Sequence, residues 1–264
     1  MREESNLWSG TSFILERPDD LEQLDPSLGR LITPTLKDLF IRHPVALLAL
    51  ASRATFAPLK RWLEELSRHG CELGIHTPGG IELQFGCPSE VFLQVGPVSG
   101  RSGRPYLLSG GIDDVPPRCP MALAEVLRLT GVIWFQYGGS VGLLHPSEQR
   151  SVPSLGEEQR RNMRNFVDGV FPDVPQPIGE ALSDLANGLR GEKHHTYHDP
   201  LKGVKLPDRA EDYYSFYTDG CGGWIATNPS GLTFHSCYQA GPHIDDFLTA
   251  FFERPGKWQA SFSD

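Results

Sequence analysis

At 264 residues and a formal net charge of −9, from 24 basic and 33 acidic residues, the chain is long enough to bury a sizeable core as one large domain or two small ones. An acidic surface repels phosphate backbones, which argues against nucleic-acid binding as the main role and suits a basic protein partner such as a nuclease or another cationic toxin. The sequence has no run of the about 18 apolar residues that a helical membrane span requires, and 28 glycines with 22 prolines point to many turns and short elements.

The opening MREESNLWSG carries acidic residues and no apolar core behind a basic start, so no secretory leader and a cytoplasmic location are expected. Cys71, Cys87, Cys119, Cys221 and Cys237 are scattered and contain no Cys-x-x-Cys pair. That set is neither a disulfide framework nor a zinc ribbon, and reduced, partly buried thiols are the expectation.

Up to residue 35 the chain reads as an irregular lead-in, with Ser12 to Leu15 able to add an edge strand. Thr35 to Ala51 has the apolar pattern of a helix that His43-Pro44 can interrupt, because the residue before proline is driven out of the helical region. A second amphipathic helix runs from Ala57 to His69, with Leu59, Trp62, Leu63 and Leu66 on one face and Gly70 as its stop. Strands are predicted at Cys71–His76 and Ile81–Phe85, joined by Thr77-Pro78-Gly79-Gly80, then at Val91–Val95 and Tyr106–Leu108. The intervening Ser99 to Arg104 lacks the glycine-lysine pattern of a phosphate cradle and reads as an exposed hairpin loop. Met121 to Thr130 is a short helix, and Val132–Gln136 with Val141–Leu144 form a further hairpin.

Composition shifts near Ser151-Val152-Pro153, which places any domain boundary between 146 and 156 and divides the chain into 1–150 and 151–264; a single fold with a helical centre is the alternative. Two helices are predicted over 157–170 and 178–190, separated by the proline-rich Phe171 to Pro177. Beyond them the acidic, tyrosine-rich Ala210–Tyr217 is read as a helix, ended by Asp219-Gly220-Cys221-Gly222-Gly223. Trp224–Thr227 and Leu232–Cys237 follow as a hairpin around Asn228-Pro229-Ser230-Gly231. Ile244, Phe247, Leu248 and Phe251 form the stripe of a final helix, with Asp245-Asp246 offsetting the dipole at its start.

The order helix, glycine turn, hairpin, helix over 208–254 resembles the signature part of the SUKH superfamily of toxin-immunity proteins, cell-wall regulators and viral relatives. Tyr213 to Tyr217, Asp219-Gly220, Gly222-Gly223-Trp224-Ile225, Ser230-Gly231 and Ile244 to Leu248 stand in the family's places. The resemblance implies a non-catalytic factor that covers a toxin or sequesters a partner protein.

Three alternatives rest on the residues themselves. His194 and His198 lie one helical turn apart and can chelate zinc, but Gly191 and Asp199-Pro200 argue against a helix there, and a histidine-rich surface loop is preferred. Cys221 near His235 or His243 raises a cysteine hydrolase, although the place of a papain-type nucleophile before Trp224 is taken by Gly223. A structural subunit of a larger assembly is the third. The reading preferred over these is an α+β protein with a mostly antiparallel twisted sheet and no cofactor. Its partner surface is built from Glu211, Asp212, Tyr213, Tyr214, Tyr217 and Asp219, and Gly220, Gly222, Gly223 and Gly231 act as turn residues.

Overall fold

The structure, a computed structural model, describes residues 1–6, 10–79, 89–96, 106–134, 142–157, 206–218, 223–236 and 239–253, the side chains of 4–6 and 239 excepted. It is an α+β fold around an antiparallel sheet. Eleven strands among the described residues follow one another in the sheet in the same order as in the chain: β1 (Arg2–Asn6), β2 (Gly10–Leu15), β3 (Cys71–Thr77), β4 (Glu90–Val95), β5 (Tyr106–Leu108), β6 (Ile133–Trp134), β7 (Gly142–Leu143), β8 (Tyr214–Thr218), β9 (Trp224–Thr227), β10 (Thr233–His235) and β11 (Gln239–Ala240). Such a meander needs no crossover, so helices enter as insertions between neighbouring strands. Four helices lie between β2 and β3: α1 (Pro26–Gly29), α2 (Pro34–Ile41), α3 (Val45–Arg53) and α4 (Ala57–Leu66). Helix α5 (Met121–Thr130) separates β5 from β6, and α6 (Ile244–Glu253) follows β11.

Side-chain alternation explains which face the helices cover. Leu73 of β3 pairs with Leu15 of β2 and Leu93 of β4, and these three join the same core cluster as α2 through α6. On α4, Leu59, Trp62, Leu63 and Leu66 are all buried, as their spacing predicts. Each such side chain removed from water contributes about 1.5–3 kcal/mol. Trp62 is wedged between the Tyr106 ring, 5.2 Å away and edge-on, and the Phe252 ring at 4.9 Å, which ties α4 to β5 and to α6. The carboxylate of Glu125 on α5 accepts the Phe56 N–H at 2.9 Å, supplying one of the acceptors that the start of α4 otherwise lacks. Helix α2 ends at Ile41 and α3 begins at Val45, so the break expected at His43-Pro44 is present.

The opposite face of the sheet carries a second, smaller cluster at its far end. Trp224 and Ala226 point there with Phe234, Val152, Ala210 and Tyr213, while the intervening Ile225 faces the helices. Strands and core residues from both sides of the 146–156 composition shift share this sheet and the main cluster, and Val152 N–H donates to the Tyr213 carbonyl at 3.0 Å.

Three expectations need correction. The segment predicted as a helix over Ala210–Tyr217 is a 3-10 turn at Ala210–Asp212 followed by strand β8. Tyr, Phe and Thr are strand formers, and a bulge between Ser215 and Tyr217 breaks the alternation, so that Phe216 and Tyr217 both reach the main core. The lead-in is not irregular, since it contains β1. Nor does Ser12 to Leu15 lie at an edge, because β2 pairs with both β1 and β3. The strand predicted at Ile81–Phe85, the Ser99–Arg104 loop and nearly all of the two helices predicted over 157–190 lie outside the described residues. No helix among the described residues is long and apolar enough to cross a membrane.

Candidate protein-interaction surface

The residues predicted to meet a partner do not form one patch. Tyr217 is 2% exposed and packs on Phe247 and Phe251, with ring centroids 5.7 and 6.5 Å away, so it is a core side chain. Tyr213 is buried in the second cluster, 6.3 Å from the Phe234 ring, and burial together with the nearby Asp208 raises its phenol above the usual range. Tyr214 is half-buried with the Arg118 guanidinium 4.2 Å over its ring, a cation–π contact. Glu211 is exposed, and Asp212 pairs with Arg209 at 2.7 Å. Asp219, Gly220, Gly222, Cys221, His194 and His198 lie outside the described residues.

Gly223 accepts a hydrogen bond from the Thr218 hydroxyl at 3.2 Å, which closes the β8–β9 connection. Gly231 takes φ +84°, and its carbonyl accepts the Ile244 N–H at 2.8 Å, so the β9–β10 turn also anchors the start of α6. Asp245 and Asp246 occupy the first turn of α6, as expected. Among the described residues no three His, Cys, Asp or Glu side chains converge as metal ligands. Burial pushes the Cys71 thiol up to about 12, with the neighbouring Glu72 adding to the effect, and it also raises Cys119. Neither is a nucleophile at neutral pH.

His235, on the helix-facing side of β10, is 7% exposed, and burial holds its imidazole below the ordinary value of 6.5. His43 is shifted the same way by the same cause. A base whose folded value is depressed is neutral in the native state while the unfolded chain already binds a proton. Stability from these sites is therefore complete above the unfolded value of about 6.5 and declines as pH falls toward the folded value. The urea midpoint is expected to drop between pH 7.5 and pH 5, and to drop less in His235→Asn. An equal drop in both proteins would assign the effect to other groups.

Four of the exposed large apolar side chains among the described residues lie elsewhere, on α2 and α3 and just before them. Helix α3, VALLALASR, is apolar over its first seven residues and polar only at Ser52 and Arg53, and so apolar a helix is ordinarily buried. Its inner side is buried through Ala46, Leu47 and Ala51, but Val45 and Leu48 are 59% and 46% exposed on the outer side. Ile41 at the end of α2 and Leu31 before it extend the exposed set. Alongside runs a groove of about 440 Å³ between α2 and α3, lined among others by Asp38, Leu39, Arg42, Ala46, Leu50 and Arg53. Asp38 pairs with Arg42 at 3.1 Å. The signal was present in the sequence as the unbroken apolar run over 45–51, but the pattern was read only for its ability to form a helix.

No family model, no curated protein and no solved structure matches this chain. Fold and surface together define an α+β scaffold that presents an open, partly apolar helical groove.

Proposed function

We propose that this is a non-catalytic protein-binding factor. The SUKH resemblance over 208–254 supports a more specific form of the reading, an immunity-type protein of the cytoplasm that neutralises a toxin or sequesters a partner by covering it. The overall charge of −9 favours encounter with a cationic partner body. The observation that carries the reading is the exposure of Ile41, Val45 and Leu48 at the end of α2 and on the outer side of α3. Large apolar side chains grouped on one surface mark interaction sites in soluble domains, where scattered single ones do not.

The test is capture from the native source with partner identification by mass spectrometry, comparing wild type with Val45→Glu/Leu48→Glu. Both side chains are exposed, so the double variant is expected to fold as wild type does. A stoichiometric partner held by wild type and reduced at least ~10-fold in the variant supports the reading, since a charge buried against an apolar anchor costs more than the ~1.4 kcal/mol that a tenfold change represents. Equal capture by the two proteins removes this surface as its basis.

A further inference from the structure

We propose that the α2–α3 groove receives an amphipathic helix of the partner whose flanks carry carboxylates; this rests on the protein-binding reading and specifies what enters the site. The shape points to a helix. Leu39, Ala46 and Leu50 give the groove an apolar floor, and the alanine at 46 leaves room for a helix backbone to approach closely. On α3 the lining residues Ala46, Ala49, Leu50 and Arg53 recur at i, i+3, i+4 and i+7, so one face of that helix meets the incoming one over two turns.

Charge points to carboxylates. Within 30–53 the chain has four basic residues, Arg30, Lys37, Arg42 and Arg53, and a single acid, Asp38, a local net charge of +3 in a chain of −9. All five are exposed. Asp38 is engaged by Arg42, whereas Arg30, Lys37 and Arg53 make no ion pair among the described residues. Arg42 and Arg53 line the groove itself, so acids on either flank of a bound helix meet a cation. The same count disfavours a second copy of the chain, which would set +3 against +3 across a two-fold axis. The concave form of the groove distinguishes the site from a lipid-binding face, because a bilayer is locally flat and does not fill a groove floor.

The probe is a fluorescein-labelled model helix with leucines at i, i+3, i+4 and i+7 and glutamates on both flanks, compared by anisotropy with the same peptide carrying lysines. Wild type is expected to bind the acidic peptide at least ~10-fold more tightly than the basic one. Ala49→Glu, at an exposed position of the groove lining, is expected to weaken binding of the acidic peptide at least ~10-fold, and Arg42→Glu/Arg53→Glu to reverse the preference. Equal affinity for the two peptides, or binding of neither, overturns the proposal. So does binding of vesicles rich in anionic lipid without peptide binding, or a concentration-dependent dimer in sedimentation that the same substitutions dissolve. If the natural partner is lost with Val45→Glu/Leu48→Glu but retained by Arg42→Glu/Arg53→Glu, the protein-binding reading stands and the acidic helix falls.

Discussion

Gly131→Ala is expected to remove about 3–5 kcal/mol of folding stability, a large share of the about 5–15 kcal/mol that holds a typical domain together. Gly131 ends α5 with φ 72° and ψ −151°, a region that residues with a Cβ essentially do not occupy and that costs about 1–3 kcal/mol when forced. The second contribution is steric. A Cβ at 131 would be driven into the Gly110 carbonyl and the Ser109 hydroxyl. Neither has room to retreat. Ser109 N–H donates to the Val132 carbonyl at 3.1 Å, and its hydroxyl accepts the Val132 N–H at 2.9 Å. Gly110 itself sits at φ 82° against the buried Leu36 side chain. The added methyl therefore pries β5 from β6 at the point where α5 hands the chain back to the sheet. Urea denaturation followed by tryptophan fluorescence measures the loss. Gly70→Ala is the control, since nothing lies within 4 Å of its added carbon, and it is expected to change stability by less than about 1 kcal/mol. Matching midpoints for Gly131→Ala and wild type would falsify the geometry at this junction.

Elements with a strong period or a firm stop were legible in the sequence. The four-residue stripes of α4 and α6, the alternation in β3 and the turn at Asn228 to Gly231 each made one structure far better than its rivals, and each is present. The proline that divides α2 from α3 could be read for the same reason, since its effect is local and steric. Failures came where local preference was balanced. The acidic, tyrosine-rich Ala210–Tyr217 was read as a helix, but pairing with β7 and β9 supplied hydrogen bonds that no local rule anticipates. Once the segment is a strand with a bulge, Tyr217 enters the main core, Tyr213 the second, and Tyr214 stays half-buried under Arg118. Strand β1 was missed because REESN contains no apolar residue, and its place is set by register against β2. The groove was hidden for a different reason. Whether a largely apolar helix is covered depends on what packs over it, and that is a property of the assembled layers rather than of any window of sequence.

Phe247→Ala is expected to destabilise the protein by about 3–5 kcal/mol, the usual range for deleting a fully enclosed aromatic ring. Phe247 is 1% exposed and sits at the middle of a ring contact network: Phe216 lies 5.2 Å away edge-on, Tyr217 at 5.7 Å and Phe251 at 6.1 Å. Two of these partners come from β8 and one from α6, so the ring is the main contact between the last helix and the strand that sequence reading had assigned as helix. Alanine leaves a void bounded by Phe216, Tyr217 and Phe251. Collapse is restricted because β8 is fixed by β7 and β9 on its two sides. The loss should be felt beyond α6. Phe252 and Trp62 link α6 to α4, and an ion pair between Arg61 and Glu253 joins the same two helices at the surface. Helix α4 in turn packs on α3, which carries the exposed row at 45 and 48. The unfolding transition should therefore stay single, with far-ultraviolet circular dichroism and tryptophan fluorescence giving one midpoint, shifted to lower urea. Phe247→Leu keeps most of the volume and is expected to cost less than about 1.5 kcal/mol. An alanine variant as stable as the leucine one would mean that the helix does not seat on β8. Two separated transitions would instead mean that the sheet beyond β7 folds apart from the helical layer.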